Sequence, residues 1–135
     1  MLRFMDIFGV FGIRGRAKEV HHLDDAFQAL GLHPARVPDS VKLAAVKLLK
    51  EAEGGKMLDA VKSCMDAALL LAYCMLGSDS FMEANGRAKT DAAKFRLRLS
   101  IRNGESLDAK LAMLTLFADT IHPAVVQEFD LEVEI

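Results

Sequence analysis

Two stretches near the C-terminus alternate between apolar and polar residues and carry opposite charges. Residues 95–102 read Phe-Arg-Leu-Arg-Leu-Ser-Ile-Arg, and residues 129–135 read Phe-Asp-Leu-Glu-Val-Glu-Ile. A period of two places successive side chains on opposite faces of a β-strand, so each stretch predicts a strand with one apolar and one charged face. Before residue 90 the apolar residues recur at helical spacing instead. The sequence therefore predicts a helical body joined to a small sheet.

The predicted fold class is α+β and helix-dominated, with about four helices and a two-stranded, βαβ-like unit at the C-terminus. A turn at Asn103 and Gly104 and a helix at about 106–121 separate the two strands. That helix is about 24 Å long and the first strand about 26 Å, so the helix can return the chain to the start of the first strand. Such a crossover makes the two strands parallel.

The chain has 135 residues, of which 52% are hydrophobic, and this predicts one domain spanning 1–135. It divides into a hydrophobic N-terminal segment (1–16), a helical body (17–90) and the strand-helix-strand unit (91–135). Within the body, helices are expected at about 17–30, 39–53 and 56–76, followed by a short helical turn at 80–85. The third of these is apolar on every side from Ala67 to Leu76, which predicts the buried centre of the domain.

The charged strand faces and the N-terminal segment predict self-association. Arginines of the first strand would lie beside acids of the second, while the open edges of a two-stranded sheet invite pairing with another chain. Residues 1–13 carry more apolar surface than a small monomer usually exposes. A homodimer is therefore expected, and another protein partner is the alternative. The predicted interface residues are Phe4, Phe8, Phe11, Arg96, Arg98, Arg102, Asp130, Glu132 and Glu134.

Other partners have weaker support in the sequence. Contact of residues 1–13 with a membrane surface ranks below packing against protein, because protein is the commoner partner of such a segment. The basic residues between Arg87 and Arg102 could bind nucleic acid, but the net charge is −2 and the acidic closing strand would neutralise them. The N-terminus resembles neither a signal peptide nor a membrane span, so a cytoplasmic location is expected.

A metal site is the rival interpretation. Glu19 with His22, and Asp119 with His122, have the i, i+3 spacing with which helices offer a carboxylate and an imidazole to one ion. Two aspartates of the third helix, at positions 59 and 66, could complete a divalent or di-iron site. The alternative function is thus a helical protein, including an enzyme, that binds a metal or another small ligand.

Catalytic motifs are missing from the sequence. It contains no glycine-rich nucleotide loop, Cys-x-x-Cys, His-Glu-x-x-His or nucleophile elbow. Cys64 and Cys74 fall on one predicted helix about 15 Å apart, which excludes a mutual disulfide and favours two core thiols. The sequence therefore predicts a small interaction or accessory protein with no catalytic residues and no cofactor.

Overall fold

The computed structural model describes residues 9–131, with side chains from residue 18 onward. This part of the chain contains six α-helices and one 3-10 turn at Pro34–Arg36. The helices are α1 (Gly9–Ala29), α2 (Asp39–Ala52), α3 (Ala60–Asn85), α4 (Arg87–Arg102), α5 (Leu107–Phe117) and α6 (Pro123–Phe129).

Helix α3 lies at the centre and packs against each of the other five helices. Helix α1 runs parallel to it, as two contacts show. Near the start of α3, the Cys64 thiol lies 3.7 Å from the Glu19 carbonyl oxygen of α1. At the other end the Asn85 side-chain amide donates a 2.8 Å hydrogen bond to the Leu30 carbonyl oxygen. Helix α2 is antiparallel to α1, and α5 packs against α2, α3 and α4.

The predicted burial of α3 is confirmed. From Ala67 to Leu76 every side chain is buried except Leu69, which is partly buried. Among the described residues, α3 is the one helix long and apolar enough to cross a membrane, but 61% of its most apolar stretch is buried inside the fold. Packing by the five surrounding helices accounts for this composition.

Gly77 interrupts α3 with a kink, at φ 84° and ψ 166°. Only glycine adopts this region without strain. A Cβ at position 77 would lie 2.9 Å from Cγ of His122, whose backbone N–H donates a 2.8 Å hydrogen bond to the Cys74 carbonyl oxygen. The absence of a Cβ at this position therefore leaves room for the imidazole ring of His122, the residue that caps α6.

The predicted α+β fold class is wrong, because residues 9–131 contain no β-strand. The first predicted strand lies within α4, which follows α3 after Gly86 alone. Phe129, the first residue of the second predicted strand, ends α6, and Asp130 and Leu131 follow it without regular structure. Residues 132–135 lie outside the described residues. The βαβ crossover and the strand edges that were expected to drive pairing are therefore absent from the described part.

Helix α4 forms because its inward face has helical spacing that the alternation conceals. Thr90, Ala93, Leu97 and Ser100 are buried, at intervals of three, four and three residues. The Thr90 hydroxyl donates to the Gly86 carbonyl oxygen at 2.8 Å and the Ser100 hydroxyl to that of Leu97 at 2.7 Å. Hydroxyls satisfied by their own helix can be buried at little cost. Two polar residues thus belong to the core face.

The other predicted helices agree in existence and differ in length. Helix α2 lies where it was predicted, whereas α1 begins at Gly9 although three glycines weaken its first half. Helix α3 continues through its kink to Asn85 and includes the expected short turn. Lys42 on α2 and Thr115 on α5 are buried although their side chains are polar. Lys42 forms a 2.8 Å ion pair with Asp24.

Truncation of Leu70 tests the central position of α3. Leu70 is fully buried, so Leu70→Ala should lower the free energy of unfolding by about 2–5 kcal/mol through lost burial and a residual cavity. Urea denaturation followed by circular dichroism measures the change. The control is Leu69→Ala on the same helix, which should cost less because Leu69 is only partly buried. A cost below about 1 kcal/mol for Leu70→Ala would place this segment at the periphery.

The kink is tested by a double-mutant cycle at Gly77 and His122. Gly77→Ala should lower the free energy of unfolding by roughly 1–3 kcal/mol from backbone strain, and the overlap with the imidazole adds to that cost. Because the variant already displaces the ring, His122→Ala should cost less in the Gly77→Ala background than in the original protein. Urea denaturation of all four proteins measures the coupling. Strictly additive costs would show that the ring and the kink are independent.

Candidate interaction surface

Helix α4 presents an apolar and charged stripe on the side opposite the core. Asp91, Phe95, Leu99 and Arg102 recur at intervals of four, four and three residues, so they share one face of the helix. All four are exposed, including 59% of Phe95 and 48% of Leu99. We call these four residues the α4 ridge. Two neighbouring exposed apolar side chains make this face a candidate contact site.

A three-helix clamp at Arg96 fixes α4 beneath the ridge. Its Nε and Nη2 donate to the two carboxylate oxygens of Asp108 on α5, at 3.0 and 2.8 Å. Its Nη1 donates to the Asp66 carbonyl oxygen on α3 at 2.8 Å. A bidentate arginine-carboxylate pair holds geometry as well as charge. Arg96 was predicted to face the acids of a second strand, and it binds Asp108 instead.

Helix α6 braces α4 from another side. The Lys94 ammonium lies 3.2 Å from the Glu128 carboxylate, and the Arg98 guanidinium lies 5.8 Å from the centre of the Phe129 ring. The second distance suits a cation–π contact. These contacts hold two of the basic side chains that the sequence suggested for nucleic acid. Helix α4, which carries the ridge, is therefore supported by α3, α5 and α6.

A groove of about 400 Å³ opens between α4 and α5, and none of the four ridge residues lines it. Its size is at the lower end for small-molecule sites. Its only hydroxyl, on Ser100, already donates to the Leu97 carbonyl oxygen. The groove is lined by Leu97, Ser100, Ile101, Gly104, Ala109, Ala112, Met113, Leu116, Phe117, Asp130 and Leu131. Its apolar rim includes Phe117, which is 64% exposed.

Two of the four predicted metal ligands, Glu19 and His122, make other contacts. One Glu19 carboxylate oxygen lies 3.4 Å from the Lys50 ammonium of α2. His22, which lies on α1 with Glu19, is half-buried. His122 caps α6, since its Nδ1 accepts a 3.0 Å hydrogen bond from the Ala124 backbone N–H. Asp119 lies in the loop after α5 at φ 58°. Within the described residues, no group of three or more His, Cys, Asp or Glu side chains is arranged to hold a metal ion.

Both cysteines are buried and unpaired, as the sequence predicted for core thiols. Burial raises the pKa of the Cys64 thiol to about 11, with a smaller contribution from the nearby Glu19 carboxylate. Burial likewise raises the pKa of the Cys74 thiol to about 12. The thiolate is the nucleophilic form, and these raised pKa values keep both thiols protonated near neutral pH.

Only some of the predicted interface residues lie in the part of the chain that the structure describes. Phe4, Phe8, Glu132 and Glu134 lie outside the described residues, and the side chain of Phe11 lies outside them too. Arg98, Arg102 and Asp130 are exposed. The sequence interpretation missed Phe95 and Leu99 because the strand prediction assigned them to the buried face. A helical reading of residues 87–102, with threonine and serine allowed inward, would have found them.

Comparison of the chain with protein-family models, with curated protein sequences and with solved structures gave no match.

Replacement of Arg96 tests the clamp under the ridge. Arg96→Lys keeps the charge but loses the bidentate geometry and the bond to the Asp66 carbonyl oxygen, so we expect a loss of about 1–2 kcal/mol in the free energy of unfolding. The same substitution at the exposed Arg87, at the start of α4, is the control and should change it little. Urea denaturation measures both. Equal effects of the two substitutions would contradict the clamp.

Proposed function

We propose that this protein is a small helical interaction protein that self-associates through the α4 ridge. The observation that carries the proposal is the exposure of Phe95 and Leu99, side by side, on a helix that three other helices hold in place. Neither side chain contributes to the buried core. Association with a second molecule would cover both side chains and so explain why they are exposed in the single chain.

The energetics support a modest, reversible association. Full burial of a Phe or Leu side chain is worth roughly 1.5–3 kcal/mol, and a two-fold axis doubles each contribution. A contact confined to one helix face is small compared with stable interfaces, which bury roughly 1,200–2,000 Å². We therefore expect association in the micromolar range rather than a permanent dimer.

The charges of the ridge favour a second copy over nucleic acid. A nucleic-acid surface is uniformly basic, whereas the ridge carries a carboxylate at Asp91 and a guanidinium at Arg102. Lys94 and Arg96, which the sequence suggested as phosphate ligands, lie against Glu128 and Asp108. A surface with both signs can complement itself.

Three other expectations stay predictions. The N-terminal segment remains a rival self-association surface, since residues 1–8 lie outside the described part of the chain. The metal-binding alternative is tested by elemental analysis of the purified protein. The cytoplasmic location is tested by cell fractionation.

Self-association through the ridge is tested by Phe95→Ser combined with Leu99→Ser. Light scattering coupled to size-exclusion chromatography, across micromolar concentrations, should show the mass of the original protein rising from 14.8 kDa toward twice that value. The double variant should stay at the monomer mass, because the apolar centre of the contact is lost. Circular dichroism verifies that the helical content is unchanged.

Phe117→Ser is the matched control, because Phe117 is equally exposed but lies at the end of α5 in the groove. It should leave the association unchanged. Loss of association with Phe117→Ser alone would move the interface to the groove. A monomer at every concentration of the original protein would refute self-association altogether.

A further inference from the structure

The order of residues along the α4 ridge carries more information than its composition. Asp91 lies toward the start of the helix and Arg102 at its end, with Phe95 and Leu99 between them. The ridge thus has an apolar centre, an acidic end and a basic end. Such a surface matches a copy of itself that runs in the opposite direction.

We infer that two copies of this protein pair their α4 helices antiparallel, about a two-fold axis midway between Phe95 and Leu99. In this arrangement Phe95 packs on the partner's Leu99, and Leu99 packs on the partner's Phe95. The inference rests on the proposed function and adds the orientation and register of the contact. A two-fold axis makes every contact occur twice, so each favourable pair counts double.

The same register brings the charged ends together. Arg102 lies three residues after Leu99, and Ala92 lies three residues before Phe95. Antiparallel pairing therefore sets Arg102 opposite the partner's Ala92. The partner's Asp91 is the adjacent residue, displaced by about 1.5 Å along the helix axis.

The small Ala92 side chain gives the arginine stem room to lie across the partner helix. Ala92 is exposed, as Asp91 and Arg102 are. A long guanidinium side chain can then reach the carboxylate of the partner's Asp91. Two such ion pairs would flank the apolar centre and exclude water from its edges.

The alternative arrangements lose the opposite-charge contacts. A parallel pairing would put Asp91 beside the partner's Asp91 and Arg102 beside the partner's Arg102, and like-charge contacts disfavour an interface. An antiparallel pairing centred on Phe95 would keep an aromatic contact but move Asp91 opposite the partner's Leu99. The antiparallel register with its centre between Phe95 and Leu99 is the one that satisfies both the apolar and the charged residues.

Charge reversal tests this register in the full chain. Asp91→Arg and Arg102→Asp each leave two like-charge contacts in a homodimer, so each variant alone should associate about tenfold more weakly than the original protein. An equimolar mixture of the two variants restores opposite charges at both sites of a heterodimer. Sedimentation velocity with one variant fluorescently labelled should show association recovering to nearly the original affinity.

Asp79→Arg, on exposed surface of α3, is the matched control for the charge change and should leave association unaltered. If circular dichroism shows that a reversal disturbs α4, the neutral variants Asp91→Asn and Arg102→Gln replace it. They should weaken association about threefold and reduce its dependence on salt. Undisturbed single variants, or a mixture that fails to recover, would overturn the register. Such results leave the proposed function intact if Phe95→Ser with Leu99→Ser still abolishes association.

Discussion

Burial of the apolar helix α3 is the constraint on which the rest of the structure depends. Between Ala67 and Leu76 this helix offers no polar face, so it must be covered on every side. Five helices supply that cover, and each of them packs on α3. The kink at Gly77 adjusts the path of α3 so that α6 can begin against it. The need to cover one apolar helix thus determines the arrangement of the other five helices.

The sequence predicted the parts of this fold that depend on strong, simple patterns. The continuous apolar run identified the centre of the domain, and the helical spacing of the apolar residues located α2. Prediction failed at α4 because Thr90 and Ser100 are polar by type but buried, with their hydroxyls bonded to carbonyls of the same helix. If Thr90 and Ser100 are not counted as inward-facing residues, the helical spacing is lost and the alternation of residues 95–102 is the stronger pattern.

The candidate surface was harder to predict for the same reason. An alternating strand would bury Phe95 and Leu99, whereas the helix exposes them, so one wrong period reversed their role. The arginine clamp was equally hidden, because its partner Asp108 is twelve residues away and belongs to the next helix. The surroundings of the carboxylate-histidine pairs were equally hidden. Their spacing is correct for a metal site, but Glu19 lies beside Lys50 and His122 caps α6. Spacing along the chain could not reveal those contacts.

The single-residue link at Gly86 has a consequence for how the chain folds. Because α3 and α4 are joined by one glycine, at φ 87°, their contact requires almost no loop closure. Docking of α1 on α3 must instead close the segment of about thirty residues that contains α2, which costs more chain entropy. Proteins rich in local contacts fold fast. We therefore expect the α3–α4 hairpin to form before α1 docks on α3.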